Sequence, residues 1–169
     1  MKKAKSKQRG FTLVELILYI GLSAVILSSL GTMINISYQV RARQQVTAEV
    51  EQQGTVVTQI VSQIIRNASS ITSPVAGASA TSAVMAVSDV SKTPTTFSLS
   101  GTAFQLTENA TVTALTNDQV QVSALSFKNL SAATTPGTVK FQFTLNYTNP
   151  GGTPRFTYSK TFYGSASLR

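Results

Sequence analysis

Polar and apolar positions follow three different patterns along this chain. From Leu16 to Val40 no charged residue interrupts an apolar stretch, LILYIGLSAVILSSLGTMINISYQV. A run of this length exceeds the roughly 20 residues that an α-helix needs to cross a bilayer. It is most apolar through Leu30, while Thr32, Asn35, Ser37 and Gln39 make its far end more polar. The helix is therefore expected to leave the lipid between Met33 and Tyr38. Beyond it, Val46, Val50, Val57, Ile60, Val61, Ile64 and Ile65 recur at helical spacing with polar residues between them, and no proline occurs before Pro74. This predicts one helix from about Thr12 to Ala68, apolar all round at first and then along a single stripe. At about 1.5 Å per residue it would be a rod of roughly 85 Å. Gly54 reads as its weak point, since glycine costs about 1 kcal/mol against alanine inside a helix.

After Ile71 the pattern changes to Ser, Thr, Ala, Val and Gly with few charges. Ser73–Ser82 has the composition of a flexible loop. Near the C-terminus, Val139, Phe141, Phe143, Leu145 and Tyr147 alternate with polar residues. Phe156, Tyr158 and Phe162 do the same, with Lys160 breaking the apolar row. Asn149-Pro150-Gly151-Gly152 lies between the two runs as a turn, which predicts a hairpin. Earlier strand candidates are Val84–Val90, Thr96–Leu99, Ala103–Leu106, Ala110–Leu115 and Val120–Phe127. In the last, Val120 and Val122 fall out of phase with Leu125 and Phe127, the mark of a bulge or bend. A sheet with one apolar face must bury it, and the amphipathic half of the helix offers the matching stripe. Val50, Val57, Val61 and Ile64 are expected to pack on the aromatic rows of the hairpin. The predicted fold class is α+β, a long N-terminal helix laid on an antiparallel β-sheet head.

Charge changes the picture only at the N-terminus. The net charge is +8, but Lys2, Lys3, Lys5, Lys7 and Arg9 supply five of the fourteen basic residues. Without the first ten residues, nine basic residues face six acidic ones, a net +3. That removes most of the case for nucleic-acid binding. The chain has no cysteine and no histidine, so it has no disulfide framework and no thiolate nucleophile, and it lacks the commonest general base near neutral pH. Asp89, Glu108 and Asp118 are too dispersed for a calcium loop. No catalytic residue, metal ligand or cofactor is predicted.

The basic cluster before the apolar run predicts a cytoplasmic N-terminus with the rest of the chain outside. A secretory signal peptide would have a shorter apolar stretch ending in small residues. A plain signal anchor gives no reason for Glu15, whose carboxylate costs about 2.5–3.5 kcal/mol at a bilayer centre and less near the edge, where Glu15 lies. The run Arg9-Gly10-Phe11-Thr12-Leu13-Val14-Glu15-Leu16 resembles the processing site of type IV prepilins and type II secretion pseudopilins. The resemblance implies that a prepilin peptidase cuts between Gly10 and Phe11 on the cytoplasmic side and methylates the new amino terminus of Phe11. Glu15 would then pair with that amine, in its own chain or a neighbouring one, as a register device for assembly. Gly21, Ala24, Ser28, Gly31 and Asn35 fall close to one helix face. They serve either close helix approach or merely the small-residue content usual in membrane helices.

Many major pilins carry a helix proline where this chain has Thr32, and a cysteine pair near the C-terminus that is absent here. The stretch Val46 to Ile71 looks more like the minor pilins and the J-type minor pseudopilin. The resemblance implies residues 1–10 as a basic leader that is removed and 11–70 as the long helix, with 11–36 in the membrane. Residues 71–169 would be the β-rich head. It also implies a bacterial, single-pass protein of the cytoplasmic membrane, with an extracytoplasmic head, that joins a filament after assembly. Its partners would be prepilin peptidase, other pilins or pseudopilins, an assembly platform and its ATPase, and the membrane, with no small-molecule substrate. Two other classes compete with this structural role. One is a pilus-tip adhesin or DNA-uptake subunit whose head binds a ligand, favoured by an exposed charged or aromatic patch. The other is a membrane-tethered enzyme, favoured by a cleft gathering Ser, Lys and acidic groups.

Overall fold

The computed structural model describes residues 10–132, 137–149 and 151–169, with nothing stated for the side chain of Arg155. The predicted leader 1–10, apart from Gly10, and Pro150 of the predicted turn lie outside these residues. Two compact units divide the chain, Met1–Arg41 and Ala42–Arg169. One helix, α1 (Leu13–Asn67), contributes to both. It starts at Thr12, whose hydroxyl accepts the Glu15 N–H at 3.3 Å while its carbonyl accepts the Leu16 N–H at 3.2 Å. This is the hydroxyl half of a capping box, with Thr12 at the N-cap and a glutamate three residues on. It ends at Asn67, before residue 70, because Ala68–Ser73 leave the helix as the first strand, β1.

In the first unit no helical side chain is buried, and Phe11, Leu13, Ile17, Ile20 and Leu27 are all largely exposed. This helix is long and apolar enough to cross a membrane. In the second unit one stripe of α1 is buried: Val46, Val50, Gly54, Val57, Val61 and Ile65. The steps of three and four residues keep these positions on one face. Ile65 is fully buried where Ile64 was expected, and Ile64 packs only partly against the core.

The remaining strands are β2 (Ser79–Ala80), β3 (Ala83–Val87), β4 (Thr95–Ser100), β5 (Ala103–Glu108), β6 (Thr111–Ala114), β7 (Val120–Asn129), β8 (Thr138–Tyr147) and β9 (Ser159–Ser167). They form two antiparallel sheets, β1-β3-β4-β5-β6 and β2-β7-β8-β9, where one sheet was expected. The fold class is α+β and pilin-like, with the second half of α1 packed on these sheets. Aromatic side chains join the two sheets. Phe97 of β4 stacks on Phe127 of β7 at 5.7 Å between ring centroids, and Phe104 of β5 meets Phe143 of β8 at 5.8 Å. Phe143 stacks in turn on Phe162 of β9 at 5.4 Å, beside the helix. The hairpin aromatics therefore divide their contacts between the helix and the other sheet.

Strands β8 and β9 form the expected hairpin, with Phe143 opposite Phe162 and Leu145 opposite Lys160. Its connection is longer than a tight turn. Phe156 lies in a 3-10 turn, Pro154–Phe156, and Tyr158 precedes β9. The phase change in β7 is a register shift between Val122 and Ala124, as the alternation predicted. Ser73–Ser82, expected as a loop, carries the end of β1 and all of β2. Buried Asn129 holds this segment: its side-chain amide donates to the Pro74 carbonyl at 2.8 Å. Its backbone N–H donates to the Ala78 carbonyl, and its carbonyl accepts the Gly77 N–H. One amide from a distant strand supplies what local composition does not show.

Candidate functional N-terminus

The expectations from sequence fall on Gly10 and Phe11 for cleavage and methylation and on Glu15 for assembly. Gly10 to Thr12 are not helical, and Gly10 and Phe11 are exposed. A side chain built at Gly10 would meet nothing within 4 Å. Packing of the described residues thus makes no demand for glycine there.

Glu15 stands one turn in, at the third helical position. Carboxylates are favoured there because the first N–H groups of a helix carry a partial positive charge. Tyr19, four residues on, points its hydroxyl at Glu15 Oε1 at 3.5 Å, a long contact. The Tyr19 ring meets the Phe11 ring edge-on with centroids 6.2 Å apart. Phe11, Glu15 and Tyr19 thus form one ridge at steps of four. Thr12 and Tyr19 were not singled out from sequence. The Thr12-Leu13-Val14-Glu15 spacing was the available signal for the cap, and the step of four was the signal for Tyr19.

Comparison with known families bears on this segment. Residues 5–31 match the family model described as the prokaryotic N-terminal methylation motif. The chain carries a prokaryotic N-terminal methylation motif. The match spans the end of the basic run, the cap and the first turns of α1, and it supports the resemblance to type IV pilins and pseudopilins. It supports reading the chain as a prepilin-like substrate whose apolar helix serves as an anchor. Neither the comparison with curated proteins nor that with solved structures finds a match.

The other candidate sites lie in the second unit. A groove of about 770 Å³ at the end of α1 brings together Ser69, Ser88, Asp89, Lys92 and Glu108, the grouping an enzyme reading would need. Its acidic groups and Lys92 already have structural tasks. Lys92 pairs with Glu108 at 3.4 Å. The Asp89 carboxylate accepts the Ser91 hydroxyl at 2.7 Å and the Ser91 N–H at 3.0 Å, capping the 3-10 turn Val90–Lys92. Those hydrogen bonds hold Asp89 below the usual carboxylate range. Asp118 lies in the loop before β7, apart from both. Among the described residues no group of three or more His, Cys, Asp or Glu is placed to hold a metal ion.

Two carboxylates of α1 tie the head to the helix. Glu51 accepts the Lys160 ammonium at 2.8 Å and the Tyr158 hydroxyl at 3.3 Å. Its carboxyl is lowered by the Lys160 hydrogen bond and charge, and Lys160 is raised chiefly by the same hydrogen bond. The lysine that breaks the apolar row of β9 thus has a helix partner. Glu49 accepts the Asn117 side-chain amide at 2.7 Å.

Proposed function

We propose that this chain is a minor pilin or pseudopilin, a structural subunit and not an enzyme. Prepilin peptidase cuts it between Gly10 and Phe11 and methylates the amine of Phe11. The observation that carries the reading is the methylation motif over residues 5–31, set where a non-helical Gly10–Thr12 segment meets a capped apolar helix. Cleavage removes the five charges of the leader but leaves the anchor attached. The new amine then lies one residue before the helix cap, within the same short segment as Glu15.

In this reading residues 11–36 hold the subunit in the cytoplasmic membrane, the N-terminus faces the cytoplasm, and the head is extracytoplasmic. Glu15 pairs with the Phe11 amine, in its own chain or a neighbour, and fixes the register of packing. A side chain built at Gly21 or Gly31 meets nothing within 4 Å in the monomer. Their small size is therefore available to a second helix, since small residues let helices approach closely in lipid. The filament is extended by an assembly platform and its ATPase together with other pilins or pseudopilins, in secretion or in a pilus.

Coexpression with a prepilin peptidase, followed by intact mass and N-terminal sequencing, tests the proposal. Loss of Met1–Gly10 with one methyl group on Phe11 is the expected result. An intact N-terminus, or a cut beyond Leu30, would overturn it.

A further inference from the structure

The face of the β2-β7-β8-β9 sheet that points away from the core is polar and carries two positive charges side by side. The register places Lys128 of β7 directly opposite Lys140 of β8. Ser79 of β2 flanks Lys128, and Ser165 of β9 flanks Lys140, completing one row across the sheet. Both lysines are exposed, and neither is in an ion pair with a described residue. Directly opposed side chains have Cβ atoms about 5 Å apart, where like charges destabilise a sheet. The described strand residues of this face include no Asp or Glu to relieve that repulsion. An anion seated between the two ammonium groups would relieve it.

The neighbouring rows show what else such a ligand would meet. Ser126, Gln142 and Tyr163 form the next row, and Tyr163 is 64% exposed. A shallow cavity of about 210 Å³ is lined by Ser79, Ser126, Lys128, Lys140 and Gln142. Beyond it, Thr144 and Thr161 share a hydroxyl–hydroxyl hydrogen bond of 2.8 Å. The face thus offers paired cations, one aromatic ring on the diagonal from Lys140, and hydroxyl and amide groups around them.

We propose that this face binds an acidic polysaccharide, with one carboxylate or sulfate held between Lys128 and Lys140. A neighbouring sugar ring lies over Tyr163, whose ring gives an apolar surface and whose hydroxyl reaches water. Gln142, Ser126 and Ser79 hydrogen-bond the sugar hydroxyls. A single-stranded nucleic acid fits less well, because it requires a basic track along its backbone and several stacking rings. Here there are two cations and one ring. The inference concerns the head alone and does not depend on how the N-terminus is processed.

The test uses the full chain in an uncharged detergent, with labelled polygalacturonate oligomers, neutral dextran, and a single-stranded oligonucleotide of matched charge. Polygalacturonate is expected to bind and to be released by added salt. Lys128→Gln or Lys140→Gln should weaken it about tenfold, as expected for loss of a charge-assisted contact. Tyr163→Ser should weaken it as well, while Lys92→Gln should leave it unchanged. Urea midpoints of the two Gln variants should stay level or rise, since a like-charge repulsion is removed. No polygalacturonate binding, binding indifferent to Lys128 and Lys140, equal binding of dextran, or tighter binding of the oligonucleotide would each overturn the proposal.

Discussion

Gly54 shows how a residue's role inverts between its local and its packed setting. In an isolated helix it is a defect, and alanine would gain about 1 kcal/mol. In the folded chain the Phe162 ring lies where a Cβ at Gly54 would be. Overpacking of this kind costs about 1–3 kcal/mol, so Gly54→Ala is expected to destabilise the head despite its better propensity. Urea denaturation of the full chain in detergent checks this. Adding Phe162→Leu to Gly54→Ala should recover part of the loss, because the two positions share one space. Gly164 is a parallel case: it lies directly opposite Phe141, whose ring covers it. Neither glycine could be assigned its partner from sequence, since the partner of Gly54 lies more than a hundred positions away. The cap at Thr12 was legible in principle, because its spacing to Glu15 is local.

Among elements, α1 was read most completely, since both its apolar run and its stripe are periodic over many turns. The stripe was misjudged by one position, Ile64 for Ile65, because both residues are apolar and only the sheet beneath decides which one points inward. Strands with strict alternation, such as β8, were likewise legible, and so was the register shift in β7. Strands β1 and β2 were not, because ASSITS and SA carry no alternation and exist through pairing with β3 and β7. The tie between α1 and β9 gives an element-scale prediction. Glu51 is held below the ordinary carboxylate value, about 4.3, so its contribution is present above that pH and lost as pH falls through the folded-state value. Lys160 is raised, so its contribution is present below about pH 10.4 and lost as pH rises through its folded-state value. The urea midpoint of the native chain should therefore exceed that of Glu51→Gln at pH 7. The difference should diminish as pH falls below about 4.3 and shrink in high salt, as expected for an exposed pair.

For the whole molecule, the proposed assembly role of Glu15 separates processing from incorporation. Glu15→Ala is expected to be cut and methylated at Phe11 but to remain in the membrane fraction rather than in sheared filaments, while Glu15→Asp should retain some incorporation. Equal incorporation of Glu15→Ala would remove the register role. The amino-acid sequence by itself determined the basic N-terminal run, the methylation motif, the apolar and amphipathic halves of the long helix and the α+β class. Each of these depends on residue type at short, regular spacing, which local chain geometry converts directly into structure. Tertiary structure alone decided that the head has two sheets, that Ile65 is the buried member of its pair, that Phe162 fills the space above Gly54, and that Lys128 stands opposite Lys140. Those outcomes depend on strand register and on which distant side chains compete for one volume. Contacts between residues far apart in the chain come into being only when the core closes.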